Sequence, residues 1–314
     1  MKAIGLFSGG LDSVLATKLM LDQGIDVQLI TFKTPFIEKS WAVKMADYLG
    51  METKVIETGK DYMEMVKKPR YGYGKNMNPC IACRIFMLKG AKEIMVSRDF
   101  DFIFTGEVLG QRPMSQTKKQ LEIIERESDL EGLVLRPLSA GLLKPTMPER
   151  KGFVDRDRLL SIRGRGRKAQ IELAKRFGLK EYDTPSGGCL LTDPNFSGRL
   201  RETFEHGEDD IDLLKYGRHF RLPSGKKVVV GRNEGENEIL AKLATAKDLL
   251  LEVLDVPGPI TLLRDSKNPE DTKICASICL RYSDCKGKGR VKISNGDYLL
   301  AEPLNEKRVE EMRI

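Results

Sequence analysis

The stretch "KAIGLFSGGLDSVLATKLML", Lys2 to Leu21, decides how this chain is read. KAIGLF has the continuous apolar character of a buried strand. Val14 to Leu21 carries apolar residues at helical spacing and ends before Gly24, well placed as a C′ glycine. Between them lies the turn Ser8-Gly9-Gly10-Leu11-Asp12-Ser13. In an open parallel sheet such a turn stands beyond the carboxyl ends of the strands, where ligands bind. Gly9 and Gly10 let backbone approach an anion closely, and Ser8 and Ser13 add hydroxyls. The helix starting near Asp12 adds its positive end. The string is neither the Walker A pattern nor G-x-G-x-x-G. A lone SGG with a Ser or Asp cap would be an ordinary strand-to-helix turn.

The alternation continues downstream. IDVQLITF, TKVIET, FDFIFTG and GLVLRPL read as strands, and Ser40–Leu49, Asp61–Val66 and Cys80–Ser97 as helices. This order predicts an α/β fold, a doubly wound parallel sheet with helices on both faces. After about Pro185 the pattern changes. Helices are expected at Asn195–Phe204 and Asp209–Phe220, then a strand pair around Pro-Ser-Gly in RLPSGKKVVVG, and a helix at Glu236–Ala246. Strands LLLEVL and PITLLRD, a helix at Glu270–Tyr282 and a hairpin turning at Asn295-Gly296 complete the chain. This is α+β order, so two domains are expected, residues 1–194 and a smaller α+β domain at 195–314.

Of the 314 residues, 40% are hydrophobic and 32% charged, enough for a substantial core. The net charge of +7 suits a polyanion such as nucleic acid, or simply a mildly basic surface. No apolar run approaches the roughly 18 residues of a membrane span, so no membrane partner is expected. The glycine loop comes too early for a signal peptide, and a cytoplasmic location is the expectation. Six cysteines in a reducing compartment are then expected to be free, metal-bound or catalytic.

Two of them, Cys80 and Cys83, lie two residues apart in NPCIACRIFMLKGAKEIM, near a helix start. Helix amides lower a thiol's pKa, and two thiolates one turn apart can hold one metal. A pair of small buried residues is the alternative. FTGEVLGQRPMSQT, Phe104–Thr117, follows the fourth strand, with Glu107 either at a ligand or capping a helix. Cys189 stands in DTPSGGCLLTDP, after Gly187 and Gly188, which allow a tight bend.

SGGLDS resembles the SGGxDS loop of the PP-loop ATP pyrophosphatases, which cleave ATP to AMP and pyrophosphate while adenylating a substrate oxygen. The resemblance implies an adenine nucleotide alpha hydrolase-like fold. It implies that Ser8, Gly9, Gly10, Asp12 and Ser13 hold the pyrophosphate end of ATP and its Mg2+, and that Thr31 and Phe32 meet adenine. C-x-x-C-R-x-x-M, TGE-x-LGQ-x-x-x-SQT and VLRPL together resemble the PP-loop domain of tRNA 4-thiouridine synthetases, while the NPC before the pair resembles tRNA 2-thiouridylases. The likeness covers Met1 to Cys189. It implies a thiouridine synthase: a uridine carbonyl oxygen is adenylated, then sulfur displaces AMP. Gly106, Glu107, Gln111, Ser115 and Gln116 would line the nucleotide site. Cys80, Cys83 and Cys189 resemble the three-cysteine set that holds a [4Fe–4S] cluster with one iron open. The rival is a cysteine persulfide resolved by a second cysteine. Sulfide or a sulfur-donor protein would supply the sulfur. No rhodanese extension is expected, which favours the cluster, and no N-terminal THUMP region.

Recognition of tRNA is therefore expected elsewhere. SIRGRGRKAQ offers Arg163, Arg165, Arg167 and Lys168 at a helix start, suited to phosphates or to plain solvation. YGRHFRLPSGKKVVVGRNEGENEIL resembles the NFACT-R type of RNA-binding domain, with His219, Arg221, Lys226, Lys227 and Arg232 as its basic members. His219 suits packing equally, and Trp41 is expected in the core. Cys275, Cys279 and Cys285 have no nearby histidine to complete a zinc site and read as small core residues. Two rival functions are a PP-loop enzyme with a different acceptor, such as an amidotransferase, and an RNA-binding protein with a degenerate nucleotide domain. The residues leave open which uridine is modified and whether the chain forms a homodimer.

Overall fold

Lys2–Leu6 forms β1, buried from Ala3 onward, and the first sheet is built around it. The computed structural model describes residues 1–37, 40–180, 182 and 189–314, which fall into two compact units, Met1–Asp193 and Pro194–Ile314. In the first unit α1 (Leu11–Asp22), β2 (Asp26–Lys33), α2 (Ser40–Tyr48), β3 (Thr53–Glu57), α3 (Lys60–Lys67), α4 (Cys80–Ser97) and β4 (Phe102–Thr105) follow. Then come α5 (Lys118–Glu127), β5 (Val134–Leu135), the single turn α6 (Met147–Arg150) and α7 (Lys168–Arg176). The five strands are all parallel, in the order β3-β2-β1-β4-β5. This is the expected doubly wound α/β sheet.

Successive residues of β1 face opposite sides. Ala3 joins a core with Val14 and Leu15 of α1, Met45 of α2 and Leu173 of α7. Ile4 joins one with Leu88 of α4 and Ile124 of α5. The strand order reverses between β1 and β4, since β2 lies on one side of β1 and β4 on the other. A crevice opens at such a reversal beyond the carboxyl ends of the strands. Residues 7–13 after β1 and 106–116 after β4 therefore meet there.

The second unit comprises α8 (Pro194–Glu205), β6 (Arg218–Arg221), β7 (Lys227–Val230), α9 (Glu234–Leu243), β8 (Leu249–Val253), β9 (Thr261–Leu263), α10 (Pro269–Arg281), β10 (Gly289–Ile293), β11 (Tyr298–Ala301) and α11 (Glu306–Met312). Its six-stranded antiparallel sheet has the order β11-β10-β8-β9-β7-β6. Cys275 and Cys279 of α10 lie in the main core of this unit, as their reading as small core residues expects. On the other face Val229, Leu262 and Leu250 pack with Leu240 of α9.

Three expectations are corrected. Asp209–Phe220 is not a helix: it holds one 3-10 turn, Leu213–Lys215, and then strand β6. Gly217, at φ +76°, ends the turn where an added Cβ would stand 2.6 Å from Val229 Cγ1. Arg218–Arg221 then pair antiparallel with Val230–Lys227. GLVLRPL yields only Val134–Leu135, an edge strand that stops before Pro137. Helices α5 and α11 have no counterpart in the sequence reading. Among the described residues no helix is long and apolar enough to cross a membrane.

Candidate active site

The loop after β1 is held by its own side chains. Ser8 Oγ accepts from Gly10 N at 3.4 Å and donates to Ser13 Oγ at 3.3 Å, and Ser13 Oγ donates to Gly10 O at 2.8 Å. Gly10 is the N-cap of α1 and supplies no side-chain acceptor, so the first amides of the helix are left for another anion. Gly9 has φ +76°, and a Cβ there would stand 2.8 Å from Ala42 Cα. The Trp41 indole Nε1 donates to Gly9 O at 3.0 Å. Trp41 thus packs half-buried against the core, as expected, and also anchors the loop. Gly106 closes the other side: a Cβ there would lie 2.5 Å from Ser13 N.

Asp12 is the focus of a polar network. Its Oδ2 accepts from Gln111 Nε2 at 2.6 Å and from Arg167 Nη2 at 3.4 Å. Gln170, fully buried, donates to Gln111 Oε1 at 3.0 Å and so fixes which way the Gln111 amide points. Asp12 Oδ1 is buried and has no hydrogen-bond partner. An orphaned carboxylate oxygen beside open helix amides fits a divalent cation such as Mg2+ carrying a phosphate chain. Arg167, expected on RNA, is therefore turned to the loop after β1. Backbone pairing brings it there: Gly164 N donates to Leu109 O at 2.8 Å. Arg163, Arg165 and Lys168 are exposed.

Glu107 is 2% exposed, between Arg84 at 3.2 Å and Arg136 at 3.1 Å. Burial alone would raise its carboxyl, but the two guanidinium groups hold it below the usual carboxylate range. Thr105 Oγ1 also donates to it at 3.2 Å, and Arg136 is held in turn by Glu125. Ser115 and Gln116 are buried, and Gln116 Oε1 accepts from Arg112 N at 3.0 Å. Thr31 is buried at the end of β2. The Phe32 ring packs against Gly90 of α4, where an added Cβ would meet it at 3.0 Å. The Phe32 side chain is a core residue, with Ile30 and Leu88.

The three thiols of the first unit share one neighbourhood. Cys80 opens α4 and donates its Sγ–H to Asn78 Oδ1 at 3.0 Å, while Cys83 Sγ meets the Tyr62 hydroxyl at 3.4 Å. Cys189 is drawn in by its flanks: Leu190 N donates to Phe36 O, Met77 N to Leu191 O, and Asn76 Nδ2 to Thr192 O. Gly187 and Gly188 lie outside the described residues. Burial raises all three thiols, Cys189 to about 12, where Cys83 and Cys80 add to the rise. Arg112 and Arg84 pull Cys80 back toward the thiolate. The Tyr62 hydroxyl is raised by burial and then by Cys83 and Cys189. Among the described residues no three Cys, His, Asp or Glu side chains are arranged to hold a single metal ion. The donor set, three neighbouring thiols with two guanidinium groups beside them, is chemically suited to an anionic iron–sulfur cluster.

The C-terminal basic residues are mostly engaged. His219 is 1% exposed, its Nε2 on Tyr216 O at 2.7 Å, and burial first, then Arg199 and Lys227, lower its pKa well below the ordinary value. Lys227 is 3% exposed and donates to Thr203 Oγ1 at 2.7 Å, with Glu202 and Glu208 each at 3.5 Å. Arg221 is bound to Glu208 at 2.6 Å and to Glu202. His219 and Lys227 are internal to the hairpin and Arg221 is half-buried in its ion pairs, so the first two are not placed on the surface as RNA contacts would be. Arg232 is exposed and ion-paired to Glu236, and Lys226, 3.6 Å from Asp265, is half-buried. Trp41, Tyr62, Arg84, Arg112, Arg136 and Gln170 had no assigned role in the site. Arg84 and Arg136 are fixed positions of C-x-x-C-R-x-x-M and VLRPL, and Arg112 fills an unspecified position of TGE-x-LGQ-x-x-x-SQT.

Residues 1–145 match the family model described as "Thiamine biosynthesis protein (ThiI)", and residues 217–312 that of the "NFACT protein RNA binding domain". A probable tRNA sulfurtransferase of Thermococcus kodakarensis is 32% identical over 143 residues, 44% of this chain and 36% of the relative. A tRNA-specific 2-thiouridylase of Fusobacterium nucleatum is 33% identical over 103 residues, 32% of this chain and 28% of the relative. The chain thus spans about a third of the length of the curated relatives it matches. A solved 4-thiouridine synthetase–RNA complex with bound ATP is 23% identical, covering 68% of this chain and 52% of that one, at a TM-score of 0.39, too slight a likeness to carry an argument. Residues 1–145 are thus similar to the ThiI family, and residues 217–312 to the NFACT RNA-binding domain.

Proposed function

We propose that the chain is an ATP-dependent tRNA thiouridine synthase. One observation carries this reading. The Arg112 guanidinium lies within electrostatic reach of Asp12 and Glu107 on one side and of Cys80 and Cys189 on the other. This coupling supports the reading that the loop after β1 and the thiols serve one reaction at the carboxyl edge of the sheet. The tRNA sulfurtransferases and 2-thiouridylases among its relatives support the choice of acceptor.

The loop amides and Asp12 would bind the β- and γ-phosphates, Asp12 through Mg2+ at its unpartnered Oδ1. The uridine carbonyl oxygen attacks the α-phosphorus, the bond to the pyrophosphate oxygen breaks, and pyrophosphate leaves. A sulfur nucleophile adds to the activated carbon, and AMP departs with the former carbonyl oxygen. Arg112 and Arg84 stand where they offset the negative charge of phosphate and sulfur. Cys80, Cys83 and Cys189 would hold the [4Fe–4S] cluster, which supplies activated sulfide when bound. Glu107, locked between two arginines, is a fixed charge that orients them rather than a proton carrier. Such an enzyme would act in the cytoplasm, with sulfide or a donor protein as its sulfur source.

The test is anaerobic incubation with iron, sulfide, Mg·ATP and an unmodified tRNA transcript. AMP and pyrophosphate should appear in step with thiouridine on mass spectrometry of digested nucleosides. ATP turnover that ignores tRNA would point to a different acceptor, and no turnover with intact RNA binding to a degenerate nucleotide domain.

A further inference from the structure

Lys286, Lys288, Arg290 and Lys292 occupy every second position of KGKGRVK, and all four are exposed. In a strand, alternate residues share a face. β10 buries Val291 and Ile293 in the core, so Arg290 and Lys292 point to the opposite side. The same division holds in β11. Leu299 and Ala301 pack on the core, while Tyr298 and Leu300 are 60% and 69% exposed. Register sets Tyr298 across from Lys292 and Leu300 across from Arg290. At the other end of the sheet this outer face is covered, with Val229, Leu240 and Leu262 fully buried under α9. The β10–β11 end is left open, with a row of cations beside a ring.

We propose that this open face of β10 and β11 is where the C-terminal unit receives unpaired RNA, with Tyr298 as a stacking platform and Arg290 and Lys292, continued by Lys288 and Lys286 in the segment before β10, as a phosphate track. The inference rests on the tRNA reading above and names the surface that serves it. Arg290 and Lys292, alternate residues of β10, stand about 6.8 Å apart, roughly one nucleotide of an extended strand, and Lys288 and Lys286 lie in the segment that leads into it. An aromatic face next to such a track is the usual combination for single-stranded nucleic acid. Acidic neighbours are present: Asp255 pairs with Arg290 at 2.7 Å, Glu302 with Lys288 at 3.2 Å, and Glu252 faces Lys292 in the register. The two pairs are exposed, hold weakly, and exchange readily for phosphate oxygens. Lys286 and Lys292 make no ion pair among the described residues. The face thus offers the exposed cations that buried His219 and Lys227 do not.

The experiment measures fluorescence anisotropy of a labelled, unmodified tRNA transcript with the full chain across a salt series. Tyr298→Ala should weaken binding roughly tenfold without changing the salt dependence, and Tyr298→Phe should keep wild-type affinity. Lys286→Gln/Lys288→Gln/Lys292→Gln should reduce the slope of log affinity against log salt by about 2, at roughly 0.7 per lost phosphate contact. Thermal melts should match the wild type, because every altered side chain is exposed. Unchanged affinity and slope in all variants, with tRNA still bound, would overturn the face alone. A wild-type dimer that Tyr298→Ala dissolves at unchanged tRNA affinity would make it a contact between copies through the β11 edge. No tRNA binding by the unaltered chain would overturn the functional reading together with this one.

Discussion

Gln111 donates its side-chain amide to Asp12 across 99 residues of sequence, Nε2 to Oδ2 at 2.6 Å. The bond fixes one oxygen of the carboxylate and leaves the other buried and unpartnered. Asp12 is therefore set in place before any nucleotide arrives. Asp12→Ala should abolish ATP–pyrophosphate exchange, a loss of about 10²-fold or more, with the fold retained. Gln111→Ala acts only through Asp12 and should lose roughly tenfold, the scale of one hydrogen bond to a charged group. Near wild-type exchange by Asp12→Ala would remove this loop from the chemistry.

Gly106→Ala tests the packing that shapes the loop. The new methyl group would meet Ser13 N at 2.5 Å and the Asp12 carbonyl carbon at 2.6 Å, and both are backbone atoms that cannot swing aside. The start of α1 must shift. Stability should fall by about 1–3 kcal/mol, and ATP affinity should fall with it. Gly198→Ala in α8 has nothing within 4 Å of its added carbon and should be neutral or slightly stabilising. Unimpaired ATP binding by Gly106→Ala would show that the loop tolerates displacement.

What the sequence shows directly is what lies within one turn of chain. The alternation of apolar runs is enough for the parallel sheet, and SGGLDS for the loop beyond its edge. Closures over long separations leave no such trace. Nothing near Arg167 announces that it reaches Asp12, 155 residues away. The C-terminal hairpin misleads for a related reason. Its basic residues were judged by charge, while burial is set by alternation and by what covers each face. Lys227 is a cation held inside by two glutamates, but Lys292 is a cation left outside. Residues 209–220 contain apolar positions at helical spacing, yet Gly217 and strand pairing prevail over that periodicity.

His219 gives the second unit a pH dependence. Its Nε2 donates to Tyr216 O, and its Nδ1 is buried without a partner, so the neutral ring fits and the charged one does not. Burial, then Arg199, Lys227 and Arg232, depress its pKa in the folded chain. Between the folded pKa and the ordinary value near 6.5, the unfolded chain binds the extra proton. Stability from this group is therefore complete above about pH 6.5 and is lost as pH falls below it. Calorimetry should show the transition of the second unit moving to lower temperature from pH 7.5 to 5.5. His219→Gln should flatten that dependence over the same interval. An equal shift in the variant would assign it to other groups.

The cysteines divide by surroundings, and substitution should divide them the same way. Cys80, Cys83 and Cys189 influence one another and lie beside Arg84 and Arg112. Cys275 and Cys279 are fully buried among the side chains of the second core, and Cys285 packs half-buried against it with its Sγ on Gly287 O at 3.2 Å. Serine at any of the first three should abolish both the absorbance of a cluster reconstituted anaerobically with iron and sulfide and the thiolation of tRNA. Each of those thiols is raised by burial, so loading should also release protons and weaken as pH falls. Cys275→Ala and Cys279→Ala should keep cluster and activity while losing about 1 kcal/mol of stability, and Cys285→Ala should change little. Iron-free protein that thiolates tRNA at the reconstituted rate would rule the cluster out. It would favour a persulfide on one of the same three thiols, because they lie beside Arg84 and Arg112.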